Sequence, residues 1–117
     1  MIFEDKVTGG ILTVKPLARR IDASASANFK GHIADWINEG QKQIVLDLAD
    51  VDFIDSSGLV AIVSSLKMIA PAGELVICGM SEAVMNLFRL TRMNRVFRTF
   101  ESREAAVNGL LNVSTKG

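Results

Sequence analysis

One stretch, residues 43–66, constrains the fold of this chain more than any other segment. Its sequence is QIVLDLADVDFIDSSGLVAIVSSL, and it opens with the apolar run Ile44-Val45-Leu46. After four aspartates the chain turns at Asp55-Ser56-Ser57-Gly58, and apolar residues then recur at intervals of three and four. This pattern predicts a buried strand that leads into a helix, with a small polar junction between them.

The segments on either side of this stretch supply further strands and helices. Gly9-Gly10 predicts a hairpin between the first two strands, because glycine adopts positive φ at little cost. Ser24 or a neighbour is expected to cap the first helix, and Ser81 to cap the third. The predicted elements are strands at 2–7, 11–14, 43–48, 74–78 and 96–100, and helices that begin near Ser24, Ser57, Ser81 and Ser102.

The predicted order is therefore ββαβαβαβα, in a single α/β domain over residues 1–112. Strands that alternate with helices imply a mixed, mainly parallel sheet, here of about five strands with about four helices. Residues 113–117 are expected to form a flexible C-terminal tail. The apolar stripes of the helices do not decide whether they cover one face of the sheet or both. The functional crevice of such a sheet lies at the carboxyl ends of its strands.

Composition excludes several classes of function. The 13 basic and 13 acidic residues balance, so net charge favours neither nucleic acid nor an anionic membrane surface as a partner. No apolar run approaches the roughly 18 residues that a membrane span needs. One cysteine, Cys78, and one histidine, His32, are too few for a zinc site, and no other metal or cofactor is expected. A lone cysteine also fits a reducing cytoplasm, where we expect the protein to act.

Ser56 is the residue of the junction whose side chain is the best candidate for a chemical role. One interpretation is structural, because Asp and Ser are preferred helix caps and either Asp55 or Ser56 can fill that position. The other is functional, because a hydroxyl at a helix N-terminus is well placed to carry a phosphate. Phosphorylation would add roughly −1.5 to −2 charges beside Asp55. A partner surface shaped for a neutral hydroxyl would then have to accommodate an anion.

A serine at a strand-to-helix turn can also serve as a hydrolytic nucleophile. The pattern for that use requires glycine two residues before and two residues after the serine. Gly58 satisfies the second position, but Ile54 occupies the first, and the only imidazole base available is His32 within the first predicted helix. The sequence therefore predicts that this protein is not an enzyme of that kind.

Two charged clusters have structural explanations. The aspartates at 47, 50, 52 and 55 suggest Mg²⁺ binding or a phosphoacceptor aspartate, but the acidic pair and lysine of a receiver domain are missing. A polar turn at the end of the strand is the preferred interpretation. The basic residues are interpreted as a solvated face, with an acidic protein partner as the second choice; they are Arg89, Arg92, Arg95, Arg98 and Arg103.

The chain resembles the STAS domain, the family named for sulfate transporters and anti-sigma factor antagonists. The resemblance rests above all on IVLDLADVDFIDSSGLVAIV, and it extends over nearly the whole chain. It also includes Ile21-Asp22 before the first helix, Gly73 before the next strand, and Leu87-Phe88 followed by Arg95-Val96-Phe97.

The resemblance implies a phosphorylation-switched binding protein rather than an enzyme. In the stand-alone bacterial members, the serine that directly follows the aspartate is phosphorylated by an anti-sigma factor serine kinase with a histidine-kinase-like ATPase fold. The matching position is Ser56, flanked by Asp55, Ser57 and Gly58. The unphosphorylated form then sequesters the kinase and frees a sigma factor, and a Ser/Thr phosphatase of the metal-dependent class reverses the modification.

The expected docking surface surrounds Ser56 and includes Asp22, Met80 and Ser81. The chain departs from the family at two places, with Val60 where a glycine is common and Arg19-Arg20 where a loop glycine is common. Arg19 and Arg20 can pair with a partner carboxylate or with a phosphate on Ser56, so both are included among the partner-binding residues.

Two alternatives within the family stay open at this point. The same switch can serve a response-regulator-linked kinase and phosphatase that control biofilm, motility or secretion. A lipid- or nucleotide-binding STAS domain is the other alternative, and it predicts a stoichiometric ligand that survives purification.

Overall fold

The computed structural model describes the backbone of residues 2–116 and the side chains of residues 2–111. The predicted tail, 113–117, overlaps the end of the last helix, and its side chains and Gly117 lie outside the described residues, so the tail stays a prediction. The elements in chain order are β1 Phe3–Thr8, β2 Ile11–Pro16, β3 Arg20–Ile21, α1 Ala23–Asn38, β4 Gln43–Asp47, β5 Phe53–Ile54, α2 Ser56–Ile69, β6 Glu74–Cys78, α3 Glu82–Leu90, β7 Thr99–Phe100 and α4 Arg103–Lys116.

The predicted sheet is confirmed. Within residues 2–116, five strands form it in the order β1-β2-β4-β6-β7, and only the β1–β2 pair is antiparallel. Gly9 and Gly10 both take positive φ, 58° and 81°, in the turn between β1 and β2, as the hairpin prediction requires. The remaining strands alternate with helices, which is why they pair in parallel.

The two faces of the sheet carry different numbers of helices, which the apolar stripes alone left open. Ile44 and Leu46 of β4 point into a core that includes Phe29 of α1, Ile62 of α2 and Phe88 of α3. The residue between them in β4 points the other way, into a smaller core that only α4 covers; that smaller core consists of Ile11, Val45, Val76, Cys78, Ala106 and Leu110. Both faces of the central strands are therefore buried, which explains their uninterrupted apolar runs.

Two strands of two residues each were not predicted. β3 and β5 pair in parallel, with Arg20 opposite Phe53 and Ile21 opposite Ile54, as a separate small sheet. β3 directly precedes the cap of α1, and β5 directly precedes the cap of α2. This small sheet therefore fixes the starts of two helices relative to each other.

The last predicted strand, 96–100, is shorter in the structure than in the prediction. Residues Met93–Arg95 form a 3₁₀ turn after Arg92, which adopts a left-handed conformation with φ of 61°. This turn brings Phe97 into the core, with its ring centroid 6.0 Å from that of Phe88. Packing of Phe97 thus outweighs the strand pattern, and pairing begins only at Thr99.

Candidate functional site

The polar junction is a capped helix start. Asp55 has an extended backbone, and its Oδ1 accepts a hydrogen bond of 2.9 Å from the backbone N–H of Gly58. Its carbonyl oxygen accepts the first helical bond, from the N–H of Leu59 at 2.9 Å. Asp55 is therefore the N-cap of α2, and the alternative in which Ser56 fills that position is wrong.

Ser56 and Ser57 are the first two residues of α2, and both are exposed. Neither hydroxyl forms a hydrogen bond with the described residues. The N-terminus of a helix carries a partial positive charge and presents unpaired N–H groups, both of which favour an anion. The Ser56 hydroxyl is thus free of a structural role and stands where a phosphate is electrostatically favoured.

A shallow groove of about 340 Å³ runs between α1 and α2 beside these serines. Its lining comprises Ser26 and Lys30 of α1 together with Ser56, Ser57, Val60 and Ala61 of α2. Val60 is 62 % exposed at this edge, so an apolar side chain lies on the surface beside the serines. Hydroxyl groups, one cation and one apolar side chain therefore share a concave surface at the phosphorylation candidate.

A second groove lies at the carboxyl ends of the strands. Leu17, Arg19, Asp52 and Ser81 line it, together with residues of the turn after β4. The Arg19 guanidinium donates to the Asp52 carboxylate at 2.6 Å, and this hydrogen bond raises the pKa of Arg19. The structure therefore places Arg19 and Ser81 in one groove, separate from the groove that Ser56 lines, and Arg19 forms an ion pair within the chain.

Arg20 and Asp22 lie at the start of α1. The Arg20 guanidinium carbon lies 4.3 Å from the centroid of the Phe53 ring, and its Nε lies 3.8 Å from an oxygen of Asp22. Asp22 caps α1 by accepting from the N–H groups of Ser24 and Ala25, at 3.1 and 3.3 Å. The hydrogen bond from the Ser24 hydroxyl, at 2.6 Å, is the main reason that the pKa of Asp22 is lowered. The neighbour Asp22, rather than Ser24, is thus the helix cap.

Met80 and Ser81 have structural roles as well as a place near the rim. Ser81 caps α3, as predicted, because its hydroxyl oxygen accepts from the N–H of Val84 at 3.3 Å. Met80 is half-buried and packs against the larger core. Partner contact by these two residues, and by Asp22, Arg19 and Arg20, stays a prediction.

Lys30 is the residue of this region that the sequence analysis missed. It lies on the solvent side of α1, one turn after Ser26, and it lines the same groove as Ser56. No motif signals it, because the α2 residues that share its groove are 26 to 31 positions away in the chain. His32, by contrast, packs at a tilt against the rings of Phe3 and Trp36, with centroid distances of 4.8 and 5.7 Å.

The charged clusters separate in the structure. Asp47 is 6 % exposed on the α4 side of the sheet, where Arg103 donates to it at 3.1 Å. Arg98 instead pairs with Glu74 at 3.2 Å, so two of the five arginines of the predicted basic cluster pair with carboxylates of this chain. Within residues 2–111, no three His, Cys, Asp or Glu side chains lie close enough together to hold a metal ion.

Comparisons with known proteins assign the chain to a family. The STAS domain family model matches residues 3–106. A protein of Bordetella bronchiseptica named as an anti-sigma factor antagonist, BtrV, is 28 % identical over 103 residues, which cover 87 % of each chain. The crystal structure of a Thermotoga maritima protein named as an anti-sigma factor antagonist is 26 % identical, with a TM-score of 0.84 and 92 % of each chain covered.

More distant relatives share the fold. The Bacillus cell fate determinant SpoIIAA, in its phosphorylated form, is 19 % identical and gives a TM-score of 0.69 over 93 % of this chain and 99 % of its own. In the part of the chain that the structure describes, no helix combines the length and apolar character needed to cross a membrane. Because the family model matches most of the sequence, the chain belongs to the STAS domain family.

Proposed function

We propose that this protein is an anti-sigma factor antagonist whose binding is switched by phosphorylation of Ser56. In its unphosphorylated form it sequesters a cytoplasmic anti-sigma factor that is also a serine kinase with a histidine-kinase-like ATPase fold. The sigma factor held by that kinase is thereby freed. The observation that carries the proposal is the exposed Ser56 hydroxyl, which no described residue binds because Asp55 caps the helix in its place.

The covalent step is an ordinary phosphoryl transfer. The kinase transfers the γ-phosphoryl group of ATP to the Ser56 oxygen, the hydroxyl proton leaves, and ADP is released. A Ser/Thr phosphatase of the metal-dependent class hydrolyses the ester with water and returns the serine and inorganic phosphate. The STAS protein itself contributes binding rather than catalysis in this cycle.

The charge of the phosphate is large enough to control binding. Phosphorylation adds roughly −1.5 to −2 charges at neutral pH. A partner surface that packs against a neutral hydroxyl and the exposed Val60 would have to desolvate this anion. A penalty of about 3 kcal/mol lowers affinity about a hundredfold, so the switch requires no refolding.

The relatives support the same role. Both the Bordetella and the Thermotoga proteins are named as anti-sigma factor antagonists, and each covers most of this chain. Structures of the fold relative SpoIIAA represent its unphosphorylated and its phosphorylated form.

Affinity capture from a lysate of the organism that encodes the protein tests the proposal. The baits are the wild type, Ser56→Asp and the control Ser102→Asp, with captured proteins identified by mass spectrometry. Ser102 is an exposed serine directly before α4, on the opposite face of the sheet from α1 and α2. We expect a histidine-kinase-like ATPase on the wild type and on Ser102→Asp, and its loss from Ser56→Asp. The captured ATPase is then incubated with ATP and wild-type or Ser56→Ala protein, and the phosphorylated residue is mapped.

Two results would contradict the proposal. One is full phosphorylation of Ser56→Ala by the captured kinase, which would place the phosphoacceptor elsewhere. The other is equal capture of the same partners by the wild type and Ser56→Asp, together with equal capture by protein phosphorylated at Ser56.

A further inference from the structure

The groove between α1 and α2 joins the proposed phosphoacceptor to a cation. Ser56 and Lys30 both line it, and among its lining residues Lys30 is the only one with a charged side chain. The other lining residues are hydroxyl-bearing or apolar. A negative group on the Ser56 oxygen would therefore meet a concave surface whose only full charge is positive.

Lys30 is free to receive such a group. Its side chain is exposed, and it forms no ion pair with any described residue. A lysine has a flexible four-carbon side chain and three N–H donors, so it can follow an anion over several ångströms. Ordering such a side chain costs conformational entropy. A phosphate dianion offsets this cost better than a single carboxylate does, because it carries more charge and more acceptor oxygens.

Arg19 and Arg20, the two arginines predicted from the sequence to pair with a phosphate on Ser56, already have partners within the chain. Arg19 forms a hydrogen-bonded ion pair with Asp52 in the other groove. Arg20 stacks over Phe53 and lies 3.8 Å from Asp22. Neither arginine lines the groove beside Ser56.

We propose that Lys30 is the counter-charge within the chain for a phosphate on Ser56, and that the phosphorylated side chain lies in the groove between α1 and α2. The proposal deepens the proposed function, since it rests on Ser56 as the phosphorylation site. Lys30 acts as a positioning residue, because it holds the phosphate against the protein and draws it into the groove.

The charges around Ser56 explain why a counter-charge is needed. The Asp55 carboxylate is adjacent in sequence and caps α2. A phosphate on the next residue is repelled by it, and the partial charge of the helix terminus offsets only part of this repulsion. The Arg20–Asp22 pair at the start of α1 contributes little net charge. Lys30 supplies the missing positive charge from the facing helix.

The test measures the second pKa of phosphoserine itself. Phosphoserine is incorporated at position 56 during translation, so no kinase is required, and the phosphorus resonance is titrated by NMR. The variants are Lys30→Met, Lys30→Arg and the control Lys67→Met. Lys67 is an exposed lysine in the last turn of α2, about 16 Å along the helix from Ser56.

A nearby cation favours the dianion, so it lowers the phosphoserine pKa from its usual value of about 6. We expect Lys30→Met to raise this pKa by about 0.5 unit, with the exposure of both groups limiting the effect. Lys30→Arg should keep the wild-type value, and Lys67→Met should leave it unchanged. Equal titration of Lys30→Met and Lys67→Met would overturn the proposal.

The outcome is independent of the kinase experiment. If Lys30 shifts the installed phosphoserine but no kinase modifies Ser56, the proposed function fails while the electrostatic pairing stands. If a kinase modifies Ser56 but Lys30→Met does not change the titration, the switch stands and the counter-charge assignment fails. Circular dichroism of each variant verifies that an exposed lysine has been changed without loss of fold.

Discussion

The α-carbon of Gly58 lies against the backbone carbonyl of Ile21, closer than any side chain would allow. A Cβ at position 58 would overlap the carbonyl oxygen of Ile21 and would lie 2.9 Å from its carbonyl carbon. The N–H of Asp55 also donates to that oxygen, at 3.3 Å. The first turn of α2 therefore rests directly on β3, and Gly58 is the residue that permits this contact.

Gly58→Ala should destabilise the protein by about 1–3 kcal/mol, because the first turn of α2 must move away from β3 to admit the methyl group. Urea unfolding followed by circular dichroism measures the change. Gly31→Ala is the matched control, since Gly31 lies within α1 and a methyl group added there would have open space for 4 Å around it. Glycine loses more backbone entropy than alanine when it folds into a helix, so Gly31→Ala should be more stable than the wild type by roughly 0.5–1 kcal/mol. Similar effects of the two substitutions would contradict the steric explanation.

The central part of the fold could be predicted because its residues carry their own pattern. The run Ile44-Val45-Leu46 is apolar on both faces, which is typical of a parallel strand covered on both sides. The breaks at Gly40 and Pro71 mark where the chain leaves the adjacent helices. The junction likewise predicted a cap for α2, since the first N–H groups of a helix need acceptors, but the sequence left open whether Asp55 or Ser56 fills that position.

The small sheet and Lys30 could not be predicted, and the reason is the same for both. β3 and β5 have two residues each, too few for any periodicity, and they form because Ile21 and Ile54 become buried in a common core. Lys30 has an ordinary place on the polar side of α1, and only the packing of α1 against α2 sets it beside Ser56. Both are products of tertiary contact, which leaves no local signal in the chain.

Stability should decrease at high pH because of Cys78. Burial, assisted by the charge of Asp47, raises the pKa of this thiol from 9.0 to about 12. Above about pH 9 the unfolded chain loses the thiol proton while the folded chain keeps it, so the unfolded state gains stability. The free energy of unfolding should fall by up to about 1.4 kcal/mol for each pH unit from this group.

Urea unfolding of the wild type and Cys78→Ala between about pH 8 and about pH 10 measures this effect. Cys78→Ala has no thiol to titrate, and the other titrating groups are common to both proteins. The stability advantage of the wild type over the variant should therefore shrink as pH rises above about 9. An advantage that stays constant over this range would show that the folded and unfolded thiols titrate together.

Val60 offers a direct test of where the partner docks. It is 62 % exposed beside Ser56, in the position where many STAS domains have glycine, so Val60→Glu adds a charge to the proposed interface without disturbing the core. We expect the captured kinase to bind this variant at least about tenfold more weakly, a loss of about 1.4 kcal/mol, when affinity is measured by calorimetry. Leu90→Glu is the control, because Leu90 is 83 % exposed at the far end of α3. Docking beside Ser56 predicts that only Val60→Glu weakens binding, whereas equal losses from both variants would indicate a general charge effect and move the interface away from the groove.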